Sequence, residues 1–305
     1  MNKDKEINKE SDKDIDKDMN KKKKISAAVI IAILAVAFVA VILVPKKSRQ
    51  TAAEQFEELQ QIVNESPAEQ AKGQEASAGK TADTDNSAKD QPEDILEKLG
   101  IEIPQKNLDW DALHKVNADI YAWIYVPDTT VDYPVLQHPT DNSYYLDYNM
   151  DGSKGYPGCI YTENYNTKDF TDPHTVIYGH NLKDQTMFSS LHNFEDKDLV
   201  DEDHYIYIYT EDQVYVYQIF AAYDFDAIHL LANFDLTNEY VYEQYIKDMF
   251  RVPDFSTRVA NFRTDIEVTR NDKILTLSTC TKDGNSDYRF LVVGLMLNPQ
   301  TENWK

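Results

Sequence analysis

Cysteine is scarce in this sequence: Cys159 and Cys280 are the only two in 305 residues. Two cysteines make no disulfide framework. They could pair with each other outside the cell, but a cysteine that serves as a nucleophile has to stay free. Positive charge is short as well. There are 31 Lys and Arg against 53 Asp and Glu, a formal net charge of -22. Such a chain lacks the basic footprint that nucleic-acid binding requires. The plain reading of the acidity is a solvated, self-repelling surface. No Cys and His cluster has zinc-ligand spacing, and there is no EF-hand pattern, phosphate-binding glycine loop or internal repeat. The sequence therefore calls for no metal and no other cofactor.

What is present suffices for a folded domain. Hydrophobic residues make up 42% and aromatics 11%, with 20 Tyr. The length allows one ordinary domain with tails, or two small ones. Ile25 to Val44 is apolar except for Ser26. At about 1.5 Å per residue it reaches roughly 30 Å, a bilayer's hydrocarbon thickness. No small-x-small cleavage site follows, so an uncleaved transmembrane helix is expected over 25–44 rather than a signal peptide. Lys21 to Lys24 and five earlier lysines precede it, and Lys46, Lys47 and Arg49 follow. The positive-inside rule puts residues 1–24 in the cytoplasm and everything after the span outside.

Residues 45–92 read as a flexible extracellular stalk. Its first part, Thr51 to Val63, can form a short helix with Phe56, Leu59, Ile62 and Val63 at helical spacing. After Val63 no aromatic or large aliphatic residue appears until Ile95, so the rest cannot bury enough apolar surface to order itself. The folded domain spans 93–305. Asp109 to Val116 reads as a helix with Trp110, Leu113 and Val116 along one side. Strands are expected at Tyr121–Val126, Val131–Leu136, Thr175–Tyr178, Tyr205–Tyr209, Val214–Ala222, Ile274–Thr279 and Phe290–Leu297, all rich in β-branched and aromatic residues. A later helix is capped by Thr237 and lines Tyr242, Tyr245, Ile246 and Met249 on one face. Many short strands and few helices predict a mostly β domain, closed or nearly closed into a barrel.

Three segments carry candidate chemistry. Thr276-Leu-Ser-Thr-Cys280 ends an apolar strand, Thr175-Val-Ile-Tyr-Gly-His180-Asn181 ends another, and Asp287-Tyr-Arg289-Phe opens the last. A thiolate is the attacking species, and a nearby imidazolium or guanidinium holds its charge. Attack on a peptide carbonyl creates an oxyanion, which an arginine can meet with charge and two N–H groups. The leaving amine needs a proton, which a histidine can give. The thioester left on the cysteine is open to an incoming amine. By spacing alone each residue also has a plainer reading: Cys280 as a small core residue, His180 as a turn residue, Arg289 as a snorkelling or ion-paired cation.

These segments resemble class B sortases. Thr276-Leu-Ser-Thr-Cys280 is similar to that family's TLxTC motif. Tyr178-Gly-His180-Asn181-Leu-Lys-Asp-Gln-Thr-Met-Phe is similar to the segment around its catalytic histidine, and Arg289 stands where its essential arginine does. Trp123-Ile-Tyr-Val-Pro, Val131-Asp-Tyr-Pro-Val-Leu-Gln, Asp141-Asn-Ser-Tyr-Tyr-Leu146 and the helix from about Thr237 to Phe250 extend the likeness over about Trp110 to Leu297. The resemblance implies an eight-stranded sortase β-barrel at a Gram-positive cell surface. It implies a cysteine transpeptidase that cuts a C-terminal sorting signal after its threonine. The surface protein would be held as a thioester on Cys280 and passed to an amine of the cell-wall precursor. Cys280, His180 and Arg289 would be catalytic, and Asn142, Leu146, Tyr178 and Ser278 would line the substrate groove. A membrane-bound cysteine hydrolase with water as acceptor shares the same first half-reaction. A binding module with Cys280 in its core is the non-enzymatic alternative. Cys159 matches no motif and reads as a buried thiol. Asn298-Pro-Gln-Thr301 looks like a sorting signal but lacks the apolar span and basic tail that would follow one. It reads as coincidence, the alternative being a tail that visits a groove.

Overall fold

The structure, a computed structural model, describes residues 54–60, 63 and 95–298. The chain divides into Met1–Thr51 and Ala52–Lys305. The first unit, with the expected span at 25–44, lies outside the described residues. Among the described residues no helix is long and apolar enough to cross a membrane.

Nine strands make one sheet: β1 Ile120–Tyr125, β2 Asp132–Leu136, β3 Ile160–Thr162, β4 His174–Tyr178, β5 Tyr205–Tyr209, β6 Val214–Asp226, β7 Ala260–Phe262, β8 Ile274–Cys280 and β9 Tyr288–Met296. Their order is β5-β1-β2-β3-β4-β8-β9-β6-β7, and β5 also pairs with β6. Eight strands thus close a barrel, which leaves no open edge in the ring. The thirteen residues of β6 exceed what β5 can cover. Tyr205 to Tyr209 pair with its first part, and β7 pairs with Ala221 to Tyr223 further along the same edge. β7 was not expected from the sequence, because three residues are too few to show a period.

Alternation along the strands separates two cores. Phe290 and Val292 of β9 join the main cluster with Trp123, Val135, Leu275 and Leu277. Leu291 and Val293 point the other way, into a second cluster with Val176 and Ile274. That outer face is covered by the helix Glu239–Met249, through Tyr242, Tyr245, Ile246 and Met249. Burying such side chains contributes about 1.5–3 kcal/mol each, so this wall is held from both sides. The cap of that helix is Asn238 and not Thr237. Asn238 accepts from the amides of Tyr240 and Val241, while Thr237 Oγ1 donates to Asp235. Both residue types cap well, and the chain turns one position later.

Two other segments refine the sequence reading. The helix Trp110–Val116 is capped by Asp109 and buries Leu113, but Val116 faces solvent. Residues 54–60, within the stretch read as stalk, are helical, and Phe56, Leu59 and Val63 belong to the main core. Phe56 sits edge-on to Tyr133 at 5.3 Å, and Gln60 Nε2 donates to Asp132 O at 2.6 Å.

Candidate active site

β4 and β8 run parallel with Val176 beside Thr276 and Tyr178 beside Ser278. β8 and β9 run antiparallel with Ser278 opposite Leu291 and Cys280 opposite Arg289. Opposed residues share a face, and the face changes with each step along a strand. Tyr178, Ser278, Cys280, Leu291 and Arg289 therefore lie on the outer face of the barrel wall. The C-terminal ends of β4 and β8 and the start of β9 meet at one mouth. His180, two residues past Tyr178, stands beside Cys280, two residues past Ser278. The amide of Gly179 continues the ladder to Ser278 O at 3.1 Å.

The three residues line one groove of about 240 Å³. Its walls include Leu146, Tyr161, Tyr178, Phe225, Ile228, His229 and Leu230. Cys280 is free and exposed, whereas Cys159 is free and buried, and burial pushes the Cys159 thiol far up. His180 Nε2 donates to Leu146 O at 2.8 Å. A carbonyl only accepts, so this bond fixes a proton on Nε2 and leaves Nδ1 for proton exchange. Gly158 makes room for that contact. Its φ is +67°, and a Cβ there would come within 2.8 Å of Tyr145 O and 3.0 Å of Leu146 O.

Arg289 donates from Nη1 to Ser286 O at 3.1 Å and to Tyr288 O at 2.8 Å. Among the described residues no carboxylate pairs with it, so the ion-paired reading does not hold in spite of the acidic composition. The loop before it is pinned separately. Asp283 accepts from Thr281, the Asn285 amide and Arg258, which holds its carboxyl down at about 2. Arg258 also bonds Asp224 and covers the Tyr288 ring at 4.5 Å.

The groove residues expected from sequence divide three to one. Leu146 is 43% exposed and so is not core; Leu146, Tyr178 and Ser278 all line the groove. Asn142 does not. Its Oδ1 accepts from the Asn164 amide at 2.8 Å, tying two loops together. Ser143, the next residue, starts the helix Tyr144–Asp147 without a side-chain bond. His229 went unrecognised. Its Nδ1 accepts from the Ala232 amide, and its Nε2 lies 2.6 Å from the buried carboxyl of Glu163. Burial raises the Glu163 pKa, and the neighbouring His229 and Tyr178 oppose this. His192 was also missed: it reaches Cys280 from behind. Neither histidine sits in a motif, and only the fold brings each to the site.

Asn298 has a structural task. Its side chain pairs with Val216 N and Val214 O at the far end of β9 from Arg289. At about 3.3 Å per residue that end lies roughly 25 Å from the site. Thr301, three residues on, lies outside the described residues.

Comparison with known proteins agrees with this architecture. The sortase domain family matches residues 124–297. Sortase B of Listeria monocytogenes is 36% identical over 179 residues, covering 58% of this chain and 68% of that protein. Sortase B of Staphylococcus aureus is 29% identical over 171 residues, covering 56% and 67%. The X-ray structure of Clostridium perfringens sortase B superposes with a TM-score of 0.54 at 31% identity, over 61% of this chain and 98% of the other. The chain belongs to the sortase family, the cysteine transpeptidases of the Gram-positive cell surface, and within it to class B. Membership implies surface-protein substrates that carry sorting signals.

Proposed function

We propose that this chain cleaves a C-terminal sorting signal after its threonine and transfers the acyl group to an amine of the cell-wall precursor. The observation that carries this reading is the pairing of an exposed, free Cys280 with an Arg289 that has no carboxylate partner among the described residues, at a groove His180 also lines. The Cys280 thiolate attacks the threonine carbonyl. Arg289 holds the oxyanion, and His180, protonated at Nδ1, gives its proton to the leaving amine. The thioester then waits for the acceptor, whose proton His180 takes back. Leu146, Tyr178 and Ser278 contact the signal. A solved Staphylococcus aureus sortase B–substrate complex, 27% identical to this chain with a TM-score of 0.51, supports a substrate site on this fold.

The apolar run at 25–44 anchors the protein with its N-terminus in the cytoplasm, residues 1–24 forming the tail, and 45–92 and the catalytic domain 93–305 lie outside. Substrate and enzyme then share a surface, which raises their effective concentration. The test uses the full chain in detergent micelles with a panel of sorting-signal peptides, with and without a peptide amine. A mass adduct on Cys280 that the amine discharges, absent in Cys280→Ala, is expected. Discharge at the same rate without amine would mean a hydrolase.

A further inference from the structure

The carbonyl of Cys280 is approached by two side-chain nitrogens from outside the groove. His192, in the 3-10 turn Ser189–Glu195, holds Nε2 3.0 Å from that oxygen and Nδ1 2.8 Å from Glu195 Oε1. Asn181 Nδ2 lies 3.3 Å from the same oxygen, 3.4 Å from Thr281 O and 3.0 Å from His192 Nε2. The imidazole is buried and lies against the Phe290 ring, centroids 4.6 Å apart and planes 23° apart. The Glu195 carboxylate only accepts, so the ring donates to it from Nδ1, while Nε2 faces an acceptor, the Cys280 carbonyl, and a donor, the Asn181 amide nitrogen, each at 3.0 Å. The other Glu195 oxygen is 3.5 Å from Lys282 Nζ.

Asn181 and His192 bound the loop that starts at His180, and that loop is braced within itself. The Phe188 amide donates to His180 O at 3.0 Å. Ser189 Oγ accepts from the Leu182 amide at 2.6 Å and donates to Leu182 O at 2.8 Å. The loop thus carries His180 as one body, and both its ends grip the residue that bears the thiol. The sheet cannot do this unaided. Ladder pairing of β8 stops at Cys280 with Arg289, and a strand's last residue is where it frays. For packing alone an apolar side chain would serve as well as a buried imidazole.

We propose that His192, oriented by Glu195, is a positioning residue for the reaction. With Asn181 it clasps the Cys280 carbonyl and fixes the His180 imidazole against the thiol. The proposal rests on the catalytic reading above. The charged groups around the pair are Lys282 beyond β8, Asp224 of β6, Arg258 bonded to Asp224, and Arg289 across the ladder from Cys280.

The test compares the full-length wild type with His192→Ala, His192→Gln and Glu195→Gln in micelles. It follows single-turnover thioester formation across pH, thermal unfolding, and iodoacetamide alkylation of Cys280, which needs no substrate. His192→Ala is expected to lower kcat about 10- to 100-fold, the scale of a misplaced reacting group, with KM within about twofold. His192→Gln, which keeps a donor at similar reach, recovers most of that loss. Glu195→Gln changes the pH profile of kcat/KM and of alkylation. A His192→Ala enzyme with wild-type kcat and alkylation, altered only in thermal unfolding, overturns the clasp. So does a Gln variant as slow as Ala. If the wild type forms no peptide adduct, the catalytic reading fails instead, and the alkylation comparison still decides the clasp.

Discussion

Cys280 and Arg289 oppose each other on the last rung of the β8–β9 ladder. Directly opposed side chains on antiparallel strands project from one face with Cβ atoms about 4.5–5.5 Å apart. Backbone pairing, and no salt bridge, therefore sets the spacing of thiol and guanidinium. Arg289→Ala should lower single-turnover thioester formation about 10²–10³-fold, as removal of an oxyanion donor does, with little change in thermal unfolding. Arg289→Lys should recover only part, since it keeps charge but not the two-donor fork. An Ala variant within about twofold of wild type would remove Arg289 from the mechanism.

The two thiols should separate cleanly by reactivity. Cys280 is exposed, and Cys159 is buried with its thiol driven up by desolvation. Iodoacetamide should add one label to the folded chain and two after denaturation, read by intact mass. Cys280→Ser should take no label while folded. Labelling of Cys159 in the native protein would contradict the packing described.

Gly179 is where the barrel admits no side chain. A Cβ there would lie 2.5 Å from Ile160 Cδ1 and 2.6 Å from Phe188 Cδ2. Gly179→Ala should destabilise the domain by about 1–3 kcal/mol, the usual range for overpacking. It should also cut activity by displacing the adjacent His180. Urea unfolding together with turnover measures both. Unchanged stability would mean that Phe188 moves aside freely.

His174 should make the domain acid-sensitive. Burial lowers its pKa from 6.5 to about 3, and its Nδ1 has no partner. The unfolded chain takes up this proton first as pH falls, so the contribution is complete above about 6.5 and is lost progressively toward about 3. The slope attributable to one such group approaches about 1.4 kcal/mol per pH unit. Urea midpoints at pH 7, 6 and 5 should converge less steeply in His174→Gln than in wild type. Equal losses in both would place the acid sensitivity elsewhere.

Much of the barrel was legible because strands write a period of two. Tyr205, Ile206, Tyr207, Ile208 and Tyr209 form β5, and the apolar run before Cys280 forms β8. The cap at Asn238 was missed by one position, since Thr237 and Asn238 offer the same chemistry. β7 was missed because three residues carry no period. In the site, Cys280, His180 and Arg289 stood out at strand ends within motifs. His192, Glu163 and His229 did not, for the groups they reach lie far off in sequence.

The sequence by itself determined the strands, the acidic surface, the two thiols and the segments that resemble a sortase, since these depend on local pattern and composition. Only the tertiary structure decided that β4 and β8 lie side by side, which brings Asn181 within 3.3 Å of the Cys280 carbonyl across 99 positions. It also freed Arg289 from every carboxylate among the described residues and turned Asn142 away from the groove. The physical reason is closure of the barrel. Which strand ends share a mouth depends on pairing between distant segments, and no local preference encodes that.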